Sequence, residues 1–154
     1  MNTDQSLPNK LSKRIIGCAL IVSHALGAGG AERVYENARA HELRIAGLAF
    51  RQQHGLTVMY DGIVVGEYVV TMLVEQAVLV ELKSLKAVHD IHRARCMNYL
   101  RATGVRLCLL LNFGNPRLAI SRLVRRRPGT SAIRVHRCSS VVEFALLTRG
   151  RSRR

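Results

Sequence analysis

One stretch limits the possible architecture more than any other. From Gly66 to Lys83 the chain reads Gly-Glu-Tyr-Val-Val-Thr-Met-Leu-Val-Glu-Gln-Ala-Val-Leu-Val-Glu-Leu-Lys, two apolar runs separated by Glu75-Gln76. Two such runs of β-branched residues around a polar break predict paired strands, and the unbroken Val78-Leu79-Val80 predicts a strand buried on both faces. Its end carries Glu81 and Lys83. Residues two apart in a strand point the same way, so these two emerge together while Leu82 packs behind them. A Glu-x-Lys at a strand end can hold a metal and a phosphate together, and it is equally the pattern of a surface ion pair at a sheet edge.

The rest of the chain supplies what would cover such a sheet. Leu11, Ile15, Ile16, Cys18, Ala19, Ile21 and Val22 recur at helical spacing over residues 10–25, and Leu26-Gly27-Ala28-Gly29-Gly30 stops the run. A second helix is predicted over residues 31–46, with Val34, Tyr35, Ala38 and Ile45 as its packing side and Gly47 as its stop. Glu32 falls in its first turn, where a carboxylate complements the helix dipole. Phe50 to Tyr60 and Ile63 to Val74 read as strands joined at Asp61-Gly62, a dipeptide suited to a tight hairpin turn. A third strand over residues 77–83, a helix over 87–103 closed by Gly104, and strands over 105–112 and 117–124 complete the order ααβββαββ. Leu118, Ile120 and Leu123 are the expected inner residues of the last strand. The expected fold is α/β, a central mixed β-sheet flanked by helices on both faces, with the helical crossover letting the third and fourth strands run parallel.

At 154 residues with 48% hydrophobic side chains the chain can bury one sizeable core, and with aromatics at 5% and no Trp that core is aliphatic. No apolar run has the length of a membrane span, and residues 1–10 are polar and lack the apolar region of a signal peptide, so a cytoplasmic location is expected. Cys18, Cys96, Cys108 and Cys138 form no CxxC pair and read as reduced core thiols. His89 and His92 share a helical face but lack two further ligands at zinc spacing, which points to a solvated or capping role. The formal charge is +14. Up to Val124 there are 15 Lys and Arg against 9 Asp and Glu, and from Arg125 onward 9 against 1. The expected organisation is therefore a folded domain over residues 10–124 followed by an Arg-rich tail, residues 125–154, that is partly disordered. The excess favours a polyanionic partner, most simply nucleic acid, DNA or RNA.

Several segments together resemble a known family. Gly29-x-x-Glu32-x-x-Tyr35, Gly66-Glu67-Tyr68 leading into Val80-Glu81-Leu82-Lys83, Asn98-Tyr99-Leu100-Arg101-Ala102-Thr103-Gly104 and Leu110-Leu111-Asn112-Phe113-Gly114 resemble the GxxExxY protein family, which is similar to the PD-(D/E)XK nuclease superfamily of restriction endonucleases and lambda-type exonucleases. The resemblance implies a restriction-endonuclease-like fold and a Mg²⁺-dependent phosphodiesterase. It implies Glu32 and Glu81 as metal ligands, and Lys83 as the lysine that orients water or stabilises charge on the phosphate. The family pattern departs at Thr71, where an Asp belongs, at Arg95, where a Gln belongs, and in the turn before the second helix, with Ser23 for His and Ala28 for Pro.

Thr71 is the departure with the largest chemical consequence. Mg²⁺ is a hard cation held through carboxylate oxygens, and a neutral hydroxyl is a much poorer ligand. Arg95 adds a positive charge that repels a metal and attracts phosphate. Glu67 and Glu75 share the strand parity of Thr71 but lie four residues away, roughly 13 Å along an extended strand. Three readings follow: a nucleic-acid-binding protein whose nuclease site is degenerate, with weak Mg²⁺ affinity and weak or no activity; a working metal-dependent DNA or RNA phosphodiesterase; and a non-catalytic scaffold making protein contacts.

Overall fold

The computed structural model describes residues 3–126. Three helices, α1 (Thr3–Leu26), α2 (Glu32–Ile45) and α3 (Asp90–Thr103), surround five strands, β1 (Phe50–Tyr60), β2 (Ile63–Val74), β3 (Val78–Lys83), β4 (Leu107–Asn112) and β5 (Ala119–Val124). The sheet order is β1-β2-β3-β4-β5, antiparallel except for the parallel β3–β4 pair across which α3 crosses. This is the mixed α/β sheet expected from the sequence, in the expected order. Val78 to Leu82 and all of β4 are buried, as strands covered on both faces must be. α1 and α2 pack with Val78, Val80, Leu82, Leu107, Leu109 and Leu111 on one face. α3 packs through Cys96, Tyr99 and Leu100 against Leu79, Cys108 and Leu110 on the other.

The turns follow from local chemistry. Asp61-Gly62 and Glu75-Gln76 all have positive φ, giving both hairpins the backbone twist that matches their strands. α2 closes in a Schellman arrangement: Leu48 N–H donates to the Leu43 carbonyl and Gly47 N–H to Arg44, with Gly47 at φ +69°.

Four details differ from the sequence expectation. Helix α1 begins at Thr3 and runs through Pro8, which lacks an N–H and so withdraws one bond from the second turn. On α2 the buried side chains are Tyr35, Glu36, Arg39, Ala40 and Leu43, while Val34 and Ile45 are exposed. The buried stripe passes through two charged residues, so a hydropathy reading finds Tyr35 and Ala38, which do pack inward, but misplaces Val34 and Ile45. In β5, Leu118 just before the strand joins the core and Leu123 packs on the α3 side, but Ile120 is exposed because β5 is an edge strand. Ile21 on α1 is likewise exposed.

The β1–β2 hairpin changes sides along its length. Phe50, Met72 and Val74 pack with α1 and α2, whereas Leu56, Tyr68 and Val70 pack with α3. The change falls at Gln53, a non-glycine residue at φ +49°, lying between the paired positions Gln52↔Met72 and His54↔Val70. That puts the kink opposite Thr71.

Cys18, Cys96 and Cys108 are free and buried. A hydrogen bond with Cys96 and burial push the Cys108 thiol well above its ordinary range. Cys138, the apolar segment from Val141 to Leu147 and nearly all of the basic tail lie outside the described residues. Arg125, at the start of that tail, donates its N–H to the Arg106 carbonyl and its guanidinium to Leu100. Among the described residues no helix is long and apolar enough to cross a membrane.

Candidate functional site

The site forms where the C-terminal ends of the parallel strands β3 and β4 meet the N-terminus of α2. Register puts Lys83 beside Asn112 and carries Glu81 one pleat below it on the same side. Glu81 is 4% exposed, too buried to hold its charge without partners, and it has three. Lys83 Nζ lies 3.1 Å from Oε1, and Thr71 donates both its N–H and its hydroxyl to Oε2, each at 3.2 Å. The Thr71 hydroxyl in turn accepts the Leu82 N–H at 3.2 Å.

Glu32 reaches the same lysine from α2, with Oε2 3.7 Å from Nζ and Oε1 accepting the Ser84 N–H at 3.3 Å. The geometry that delivers it comes from the preceding loop. Gly27 and Gly29 have positive φ, and the Tyr35 hydroxyl closes the loop by accepting the Gly30 N–H at 2.9 Å and donating to the Gly27 carbonyl at 2.7 Å. A side chain at Gly30 would come within 3.1 Å of the Tyr35 ring. That ring stacks on Phe113 at 4.6 Å, and Ser84 Oγ donates to the Gly30 carbonyl at 2.8 Å. The Gly-x-x-Glu-x-x-Tyr spacing is therefore a mechanical unit: the tyrosine fixes the loop and the loop fixes the glutamate.

The segment after Lys83 is held just as closely. Asn112, 1% exposed, accepts the N–H groups of Leu85 and Gly114 on Oδ1 and donates through Nδ2 to the Leu85 carbonyl. Gly114 cannot carry a side chain, since its Cβ would sit 2.0 Å from the Leu85 carbonyl oxygen.

Four of the five residues singled out from the sequence, Glu32, Thr71, Glu81 and Lys83, come together. Arg95 stays exposed on α3 and makes no hydrogen bond or ion pair with them among the described residues. It bears on the site through Tyr99. Burial, then the Glu81 charge, push the Tyr99 hydroxyl up, while Arg95 opposes the rise. His89 and His92 lie 6.2 Å apart between ring centroids, and the His89 side chain does not cap α3.

Three participants are not evident from the sequence alone. Ser84 bridges Glu32 to the glycine loop, and its only signal is its place directly after Lys83. Glu36, one turn beyond Glu32, is 4% exposed and accepts from Gln52 at 3.0 Å and Gln53 at 2.8 Å, tying α2 to the kink opposite Thr71. Arg39 is fully buried, and among the described residues none of its three guanidinium nitrogens has a hydrogen-bond partner.

The donor set fits a divalent cation poorly. One oxygen of Glu81 faces an ammonium and the other faces two donors, so every protein group aimed at this carboxylate delivers a proton rather than a lone pair. Glu32 shares the same lysine. Among the described residues no group of three or more His, Cys, Asp or Glu side chains is arranged to hold a metal ion.

Comparison with known proteins agrees with the topology. A profile of the PD-(D/E)XK nuclease superfamily matches residues 9–125. No curated protein and no solved structure matches the chain.

Proposed function

The chain belongs to the PD-(D/E)XK nuclease superfamily, and from that premise we propose that it is a nucleic-acid-binding protein of the GxxExxY kind whose phosphodiesterase site is degenerate. One observation carries this reading. At the position of the expected Asp, Thr71 donates two hydrogen bonds to Glu81, in place of a second carboxylate that would share a cation with it. The Glu81 oxygens are already matched, one by the Lys83 ammonium and the other by the two Thr71 donors. Mg²⁺ affinity is correspondingly weak, and no hydrolytic step is assigned to it.

Binding has separate support. Lys86 follows the site lysine on an exposed loop, and Arg93 and Arg95 are exposed on α3. With the basic tail from Arg125 onward they present cations to phosphates, whose neutralisation releases counterions. The preserved Glu32–Glu81–Lys83 cluster favours a second reading, an active metal-dependent phosphodiesterase, and one experiment separates the two. The parent protein is expected to show little Mg²⁺- or Mn²⁺-dependent cleavage of DNA or RNA, while Thr71→Asp with Arg95→Gln gains it and loses it again on adding Lys83→Ala. Robust cleavage by the parent that disappears in Lys83→Ala would reject the degenerate site. Absence of nucleic-acid binding by a folded parent would leave a scaffold that makes protein contacts.

A further inference from the structure

The β1–β2 hairpin outgrows the sheet. β2 pairs with β3 only over Met72, Leu73 and Val74, and the last side chain that anchors it to α3 is Tyr68, edge-on to Tyr99 at 5.7 Å. Beyond Tyr68 the arm runs six residues to the Asp61-Gly62 turn, a reach of roughly 20 Å. Ile63 to Glu67 are all exposed; on the β1 side of the arm Val58 and Met59 approach α3, lining a shallow cavity with Tyr68, Asn98 and Ala102. The side chains there are apolar: Met59, Tyr60, Ile63, Val64 and Val65 are each more than half exposed. Apolar surface this concentrated marks an interaction site in a soluble chain, and β1 adds an unpaired sheet edge, which is a template for another strand.

Charge selects the occupant. In a chain of net charge +14 there is no Lys or Arg between Arg51 and Lys83, and the arm carries only Asp61 and Glu67. A polyanion is not attracted here. A second copy of this chain is well suited, for two reasons. An antiparallel edge pairs with its own copy about a two-fold axis, so β1 is self-complementary without any further design. The reach of the arm also exceeds the Debye length of about 8 Å at physiological ionic strength, so the repulsion between two basic bodies joined at their arms is reduced there and grows as salt is lowered. We infer that the chain forms a two-fold dimer through its β1–β2 arms, β1 pairing with β1 and the Met59, Tyr60, Ile63, Val64 and Val65 side chains closing over the junction. The patch is five side chains on each arm, far fewer than the roughly 20–30 residues a side of a standard stable pair. The dimer is therefore concentration-dependent rather than obligate.

Sedimentation velocity of the full chain, freed of nucleic acid, tests this. The mass is expected to rise with concentration from 17.1 kDa toward twice that value. Raising NaCl from about 0.05 to about 0.5 M is expected to strengthen association, since it screens the repulsion between the bodies. Ile63→Lys with Val65→Lys is expected to weaken it at least tenfold. Met59→Thr with Val64→Thr removes apolar surface without adding charge and is expected to weaken it as well, and both pairs should keep the parent melting temperature because these positions are exposed in the monomer. A monomer at every concentration, a dimer that salt dissociates, or a dimer unchanged in both folded variants overturns the inference.

Discussion

Arg39 is the residue at which sequence and packing disagree most sharply. It lies on the buried face of α2 between Tyr35 and Leu43, and among the described residues its guanidinium has no hydrogen-bond partner. Burial lowers its pKa from the ordinary arginine value to about 10, opposed by Cys18 and then Glu36. Replacing a buried, unpaired cation with an apolar side chain of similar length is expected to stabilise the fold, so Arg39→Met should raise the unfolding free energy by about 1–3 kcal/mol at neutral pH. The sign of the pH dependence follows from linkage. The folded pKa lies below the unfolded one, so the penalty is fully present below pH 10 and fades as pH rises above 10 toward the ordinary arginine range, where the unfolded chain holds the proton more tightly. Urea unfolding of both proteins at pH 8 and near pH 10.5 should show the gap narrowing. A variant less stable than the parent would mean that the guanidinium finds a partner in solution. The same residue explains why the packing side of α2 was only partly legible: Tyr35 and Ala38 do pack inward, but the buried stripe Tyr35, Glu36, Arg39, Ala40, Leu43 carries two charged residues of five.

Among the elements, the expected ones form, and the reasons are local. Positive-φ residues sit at Gly47, Asp61-Gly62, Glu75-Gln76 and Gly104, and the apolar runs between them have the lengths of strands or helices. The strand parity of Glu81 and Lys83 was legible for the same reason. What a period cannot supply is the approach of α2, since Glu32 meets Lys83 across 51 positions of sequence only because Tyr35, Ser84 and Phe113 lock the glycine loop to the end of the sheet. Nor can it show the kink at Gln53, which lies in an ordinary strand pattern and depends on the buried Glu36 carboxylate that receives both glutamines. The joint at the ends of β3 and β4 gives a prediction at this scale. Asn112→Ala removes three buried hydrogen bonds to Leu85 and Gly114 at once and leaves their backbone groups unpaired. A loss of about 2–4 kcal/mol is expected, read as a lower urea midpoint at unchanged slope. A midpoint within error of the parent would show that the loop after Lys83 does not depend on this amide.

For the whole molecule, the folded body and the chain's charge have different tasks. Residues 3–126 hold 17 Lys and Arg against 9 Asp and Glu, and residues 127–154 add 7 against 1, so the body alone keeps a net +8 and the remainder contributes +6. If both contact phosphate, affinity and its salt dependence divide between them, because each neutralised phosphate contributes about 0.9 to the slope of log K against log salt on duplex DNA. A chain ending at Arg126 retains the Arg125 bonds to Arg106 and Leu100 and so keeps the close of β5. Relative to the full chain it is expected to bind DNA more weakly and with a shallower slope, by as much as about 6 if all seven arginines engage phosphate. Fluorescence anisotropy on one labelled duplex across a salt series measures both quantities. An unchanged slope would assign the whole interaction to the body, where Arg33 beside Glu32, Lys86, Arg93 and Arg95 are exposed cations. A slope lost entirely would make the body a passive carrier of a basic tail. The proposed arm-to-arm dimer responds to salt in the opposite direction, so the same titration, followed by sedimentation without DNA, separates the two associations within one protein.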